Sequence, residues 1–124
     1  MMRAINVTNQ SVLVEQGEVA NTAWTRLKGL IGHPPLQSGE GLLIQPCRGV
    51  HTLGMRFPID VLYVDKSGQI VRAVEQLAPG HIGPIVLNAS YVLELPAGTI
   101  AQSGTKAGDH IAIQRQASTA HKNR

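Results

Sequence analysis

Ile59-Asp60-Val61-Leu62-Tyr63-Val64-Asp65 is the stretch on which the fold turns. It is rich in β-branched residues and apolar on both alternating faces. A half-solvated strand would alternate polar with apolar, so this strand is expected to be covered on both sides. Lys66-Ser67-Gly68 follows as a turn, and Gln69-Ile70-Val71-Arg72-Ala73-Val74 returns as the second arm of a hairpin.

Working outward, Ala4-Ile5-Asn6-Val7 and Val12-Leu13-Val14-Glu15 read as two short strands joined by a turn at Asn9-Gln10-Ser11. Gly41-Leu42-Leu43-Ile44, Tyr91-Val92-Leu93-Glu94-Leu95 and His110-Ile111-Ala112-Ile113-Gln114 add three more. Ala20, Ala23, Trp24, Leu27 and Ile31 recur at helical spacing, which predicts a helix of three turns capped by Asn21 or Thr22 and stopped at Pro34-Pro35. Trp24 and Met55 read as packing residues. Residues 77–84 carry Pro79, Gly80, Gly83 and Pro84 and form an irregular loop. Pro96-Ala97-Gly98-Thr99 opens a short helical turn closing near Gly104.

The pattern is mainly β with one short helix (α+β). Six or seven short strands with apolar residues on both faces resolve their edges by closing, so a small closed or partly open β-barrel is expected. Residues 1–115 make one globular domain, and residues 116–124, without apolar periodicity, are expected to be a disordered tail.

Composition narrows the function classes. The 124 residues are 43% hydrophobic and 15% charged, which is incompatible with general disorder. No apolar run approaches the ~20 residues of a membrane span, and residues 1–7 show no secretory signal. A cytoplasmic protein is expected, acting as a monomer and away from membranes. One cysteine excludes an internal disulfide framework. The formal charge is +3. Residues 1–115 hold nine Lys/Arg against eight Asp/Glu, a balance of only +1. The cations are scattered and the four aromatics (Trp24, Phe57, Tyr63, Tyr91) form no stacking pattern, which speaks against nucleic acid.

No named catalytic or nucleotide-binding motif is present. The unusual stretch is Pro46-Cys47-Arg48-Gly49-Val50-His51-Thr52-Leu53-Gly54-Met55-Arg56-Phe57-Pro58, fenced by prolines. Cys47 becomes a nucleophile if His51 stabilises its thiolate. On an extended strand the two stand about 13 Å apart, so contact needs a turn at Arg48-Gly49. Otherwise Cys47 is a small buried hydrophobe. Zinc would need His33, His81 or Asp60 to join Cys47 and His51, and no pair has a recognised ligand spacing. Asp60 shares a strand face with Leu62 and Val64. Its carboxylate must therefore be paired, by Arg26, Arg48 or Arg56, or satisfied by backbone N–H groups of the preceding loop. If paired, it can anchor a pocket. Glu94, between Leu93 and Leu95, is expected to face solvent by strand alternation.

In order along the chain, residues 26–32, 41–44, 51–65, 68–71, 93–99 and Gly108-Asp109 resemble the domain of unknown function 192 family, across residues 20–113. The resemblance implies a β-barrel-like fold with a short helix and no established reaction, substrate or cofactor. The family's distinctive positions fall on Arg26, Gly29, Leu30, Met55, Asp60, Glu94, Gly98 and Asp109. Where many members carry an aromatic residue and an Asn-Thr pair around Met55, this chain reads His51-Thr52-Leu53-Gly54-Met55-Arg56-Phe57, with Cys47 upstream.

The expected function is non-catalytic binding of a small molecule or a partner protein. The candidate ligand-binding residues are Arg26, Cys47, His51, Thr52, Met55 and Asp60, with no catalytic residue, metal ligand or cofactor assigned. A cysteine-dependent enzyme using Cys47 with His51, or a metal-binding protein, is the alternative.

Overall fold

The hairpin at residues 59–77 forms where its sequence predicts, and its turn shows why. In this computed structural model, which describes residues 1–115, Asp65 Oδ1 accepts the Ser67 and Gln69 backbone N–H groups at 2.9 and 3.0 Å and the Ser67 hydroxyl at 2.6 Å. Gly68 supplies the positive φ of +92° that reverses the chain.

Seven strands form one sheet: β1 (Met2–Asn6), β2 (Ser11–Ala20), β3 (Glu40–Ile44), β4 (Ile59–Val64), β5 (Ile70–Leu77), β6 (Tyr91–Pro96) and β7 (Ile111–Arg115), in the order β5-β4-β6-β3-β2-β1-β7. All neighbours are antiparallel except β2 and β3, which run parallel. A parallel pair needs a crossover, and residues 21–39 provide it. The two sheet edges approach at the hairpin tip. Ile111 N–H donates to Gly68 O at 2.7 Å and Ile70 N–H to Asp109 O at 2.8 Å. The result is a curled half-barrel with two short helices, α1 (Ala23–Lys28) and α2 (Thr99–Ser103).

The curl encloses one apolar cluster to which every strand contributes, with Met2, Val14, Leu43, Leu62, Ile70, Leu93 and Ile111 among its members and Ile100 of α2 closing one end. A second cluster lies on the outer face of β3, β4 and β6. There Ile44, Ile59, Val61, Tyr63 and Val92 are covered by Leu30, Val50, Met55, Phe57 and Ala89 from the connecting loops. β4 is buried at all six positions, as its sequence predicts.

The helix is shorter than its apolar spacing predicts. Ala20 ends β2, where it is buried, instead of opening the helix. Thr22 caps α1 through a reciprocal box with Thr25, and Gly29, at φ +50°, ends it after six residues, well before Pro34-Pro35. None of its residues is buried: Trp24 is 68% and Leu27 64% exposed. The predicted packing stripe, and with it the packing role of Trp24, is therefore corrected. Residues 116–124, expected to be a tail, lie outside the described residues.

Candidate functional site

Two acidic residues are buried on adjacent strands, and their environments differ in kind. Asp60 on β4 faces the enclosed cluster with Leu62, Leu93 and Leu95. Its Oδ1 accepts the Gln76 N–H at 2.8 Å, and its Oδ2 accepts the Gly98 and Ile100 N–H groups at 3.1 and 2.8 Å. The Gln76 bond fixes a bulge in β5, where Gln76 takes a φ of +52°. The other two tie the carboxylate to the start of α2. Backbone amides satisfy Asp60, as one sequence reading holds, but they come from β5 and α2 and not from the preceding loop. No arginine pairs with it among the described residues.

Glu94 on β6 is the opposite case. It is paired in register with Leu42 and Val61, so it points into the outer apolar cluster. It is 3% exposed. The expectation of solvent exposure fails because strand alternation gives direction only relative to neighbours, and this sheet is covered on both faces. Glu94 Oε1 has no hydrogen-bond partner within the structure, and it is the one such buried side-chain atom among the described residues. Burial alone pushes its carboxyl up to about 8. A group in this state is costly to the fold.

Glu94 forms the floor of a narrow crevice of about 40 Å³, walled by Arg26, Leu27, Lys28 and Gly29 on one side and Gly49, Val50 and His51 on the other. Beside it opens a cleft of about 580 Å³ bordered by Arg26, Gln45, Pro46, Cys47, Arg48, Ala89 and Ser90. Arg26 borders both. Its guanidinium donates to Pro46 O at 3.1 Å. Neither Arg26 nor Arg48 has a carboxylate partner among the described residues.

The sequence-derived candidates divide accordingly. Arg26, Cys47 and His51 gather around these two openings. Thr52 is wholly buried as a tie between two loops: its hydroxyl donates to Ala78 O and accepts the His81 N–H. Met55 packs in the outer cluster. Asp60 lies on the other face of the sheet and borders neither opening. Glu94, left out of the predicted set, is the one acidic side chain that lines the crevice.

Cys47 and His51 are not coupled. The thiol donates to Gly49 O at 2.9 Å, and His51 Nδ1 accepts the Leu53 N–H at 3.2 Å. Burial pushes the Cys47 thiol above its ordinary value, with Glu94 adding to the rise and a backbone hydrogen bond at Gly49 and the Arg26 charge opposing it. A raised thiol is the reverse of what a nucleophile requires. Among the described residues no three His, Cys, Asp or Glu side chains gather to hold a metal ion, and no helix is long and apolar enough to cross a membrane.

The fold belongs to a recognisable class. Residues 4–113 match the model of a family described as "Uncharacterized ACR", domain of unknown function 192, and the chain belongs to that family. A protein of unknown function from Novosphingobium aromaticivorans shares the fold with a TM-score of 0.77 at 21% identity, over 90% of this chain and 82% of that one. A Sinorhizobium meliloti protein, proposed in its description to be a transcription regulator, matches with a TM-score of 0.73 at 24% identity over 90% of both chains. No curated protein matches the sequence.

Proposed function

We propose that this chain is a non-catalytic binding module that takes a small polar molecule at the Arg26–Cys47–Arg48 cleft and the adjoining crevice, with Glu94 at the crevice floor as the inner anchor. The observation that carries this reading is the buried, unpartnered Glu94 carboxyl at the foot of an opening. Native interiors satisfy nearly all their buried polar groups. A carboxyl left unsatisfied beside a cavity is completed by what enters the cavity. The rest of the site supports binding over chemistry. The thiol is held protonated, the imidazole is engaged with backbone, and the second buried acid is fully satisfied elsewhere.

Amide NMR spectra of the full chain, recorded with methylammonium, acetamide, acetate and inorganic phosphate as probes, test this. At least one probe is expected to shift Gly49, Val50 and His51 in the wild type, with the shift lost in Glu94→Gln. Spectra unmoved by every probe, or moved equally in the variant, would overturn it.

A further inference from the structure

The two openings differ in size and in what lines them. The crevice sets the Glu94 acid beside Arg26 and Lys28, whereas the cleft carries Arg26 and Arg48 with no acid. Together they describe a ligand with two unlike ends. The crevice over Glu94 holds about 40 Å³, room for a group near the size of one water molecule. Its floor is a carboxyl with an unused oxygen. Such a floor is met by a small hydrogen-bond donor, and best by a cationic one, because charge-assisted bonds to carboxylate are the strong ones. The outer cleft is larger, and its rim is cationic. Arg26 and Arg48 are exposed, have no acidic partner among the described residues, and both border it. A simple amine would meet that rim as a like charge. A simple anion would find its match at the rim and nothing for Glu94.

Resting on the binding reading above, the geometry points to a small zwitterion as the ligand: a primary ammonium seated in the Glu94 crevice and a carboxylate held outside by Arg26 and Arg48. Arg26 connects the halves, since it borders both openings and, among the described residues, its guanidinium is tethered through Pro46 O alone. Because Pro46–Arg48 runs directly into Gly49–His51, one short ligand spans the two sites along a single stretch of backbone. Guanidinium forks suit a planar carboxylate, which favours this outer group.

The test is a titration of the full chain with glycine, β-alanine, γ-aminobutyrate and δ-aminovalerate, each compared with the amine and the carboxylic acid of matching length. At least one ω-amino acid is expected to bind about 10-fold or more tightly than either matched single-ended probe, as two simultaneous charge-assisted contacts require. Glu94→Gln is expected to weaken that amino acid about 10-fold and leave the matched carboxylate unchanged. Arg48→Ala, at an exposed position, is expected to weaken the amino acid and the carboxylate alike and leave the amine unaffected or improved. Single-ended probes that bind as tightly as every amino acid would overturn the zwitterion while keeping a binding site. Failure of all probes alike would overturn the binding reading with it.

Discussion

Asp60 and Glu94 lie one rung apart on the paired strands β4 and β6, Asp60 opposite Leu95 and Glu94 opposite Val61, and their side chains leave the sheet on opposite faces. One accepts three backbone N–H groups, and the other leaves an oxygen without any. The same residue class at adjacent positions thus serves the fold in one case and is a burden on it in the other.

Asp60 is expected to be structural. Asp60→Ala strands the Gln76, Gly98 and Ile100 N–H groups in an apolar setting, and each unpaired group costs about 1–3 kcal/mol. A loss of about 3 kcal/mol or more is expected in urea unfolding, with Asp60→Asn milder because one acceptor oxygen survives. Wild-type stability in Asp60→Ala would contradict this role.

Glu94 sets a pH dependence of the unusual sign. Its folded value, about 8, lies above the ordinary 4.5, so between those values the native state holds the extra proton. The stabilisation of the protonated form is complete below pH 4.5 and is lost as pH rises to about 8. The span corresponds to on the order of 5 kcal/mol. Denaturation midpoints are expected to fall across this window in the wild type and to stay nearly flat in Glu94→Gln, which becomes the more stable of the two above it. Equal slopes would contradict the assignment.

Asn6 joins the start of the barrel to its end. Its amide donates to Thr105 Oγ1 and Asp109 Oδ2, both at 3.0 Å, and its Oδ1 accepts the Thr8 and Asn9 N–H groups. The Asn6 amide is also the main reason the Asp109 carboxyl is held below its ordinary value. Asn6→Ala is expected to cost about 2–4 kcal/mol, and Asn6→Asp more, since it sets two carboxylates face to face. Because the Asp109 value is depressed, its contribution is present above the ordinary carboxylate range and is lost as acid carries the pH down through the folded value. Acid unfolding followed by circular dichroism is expected to begin at higher pH in Asn6→Ala.

Cys47 is expected to be a slow thiol. Iodoacetamide alkylation should titrate with a midpoint above 9.0, its ordinary value here, and His51→Ala should leave that midpoint in place. A midpoint near neutrality that moves with His51 would restore the nucleophile reading.

Much of this fold is legible in the sequence, for physical reasons that also mark where reading fails. β4 declares itself because apolar residues on both faces have few alternatives to a doubly covered strand, and Asp65-Lys66-Ser67-Gly68 carries its own turn chemistry. The helix is over-read because Ala20, Trp24, Leu27 and Ile31 share a helical stripe whether or not anything covers it. Gly29 and β2 decided the outcome, and both are tertiary matters. Asp60 is legible as a satisfied carboxylate, but its partners, 16 to 40 residues away in sequence, are not. Glu94 is misread because alternation assigns faces, while burial depends on the loops that cover them. The signal that was available is the doubly apolar β4 itself: its neighbour β6 must be covered too, and an acid within it must then be buried.

The most direct test of the account is the carboxyl carbon NMR titration of Glu94 in the full chain, assigned by comparison with Glu94→Gln. A midpoint near 8, falling when the best-bound amino acid is added, is the predicted result. A midpoint in the ordinary range near 4.5, unmoved by any probe, would contradict the central claim that a buried and unpaired carboxyl waits at the foot of the crevice.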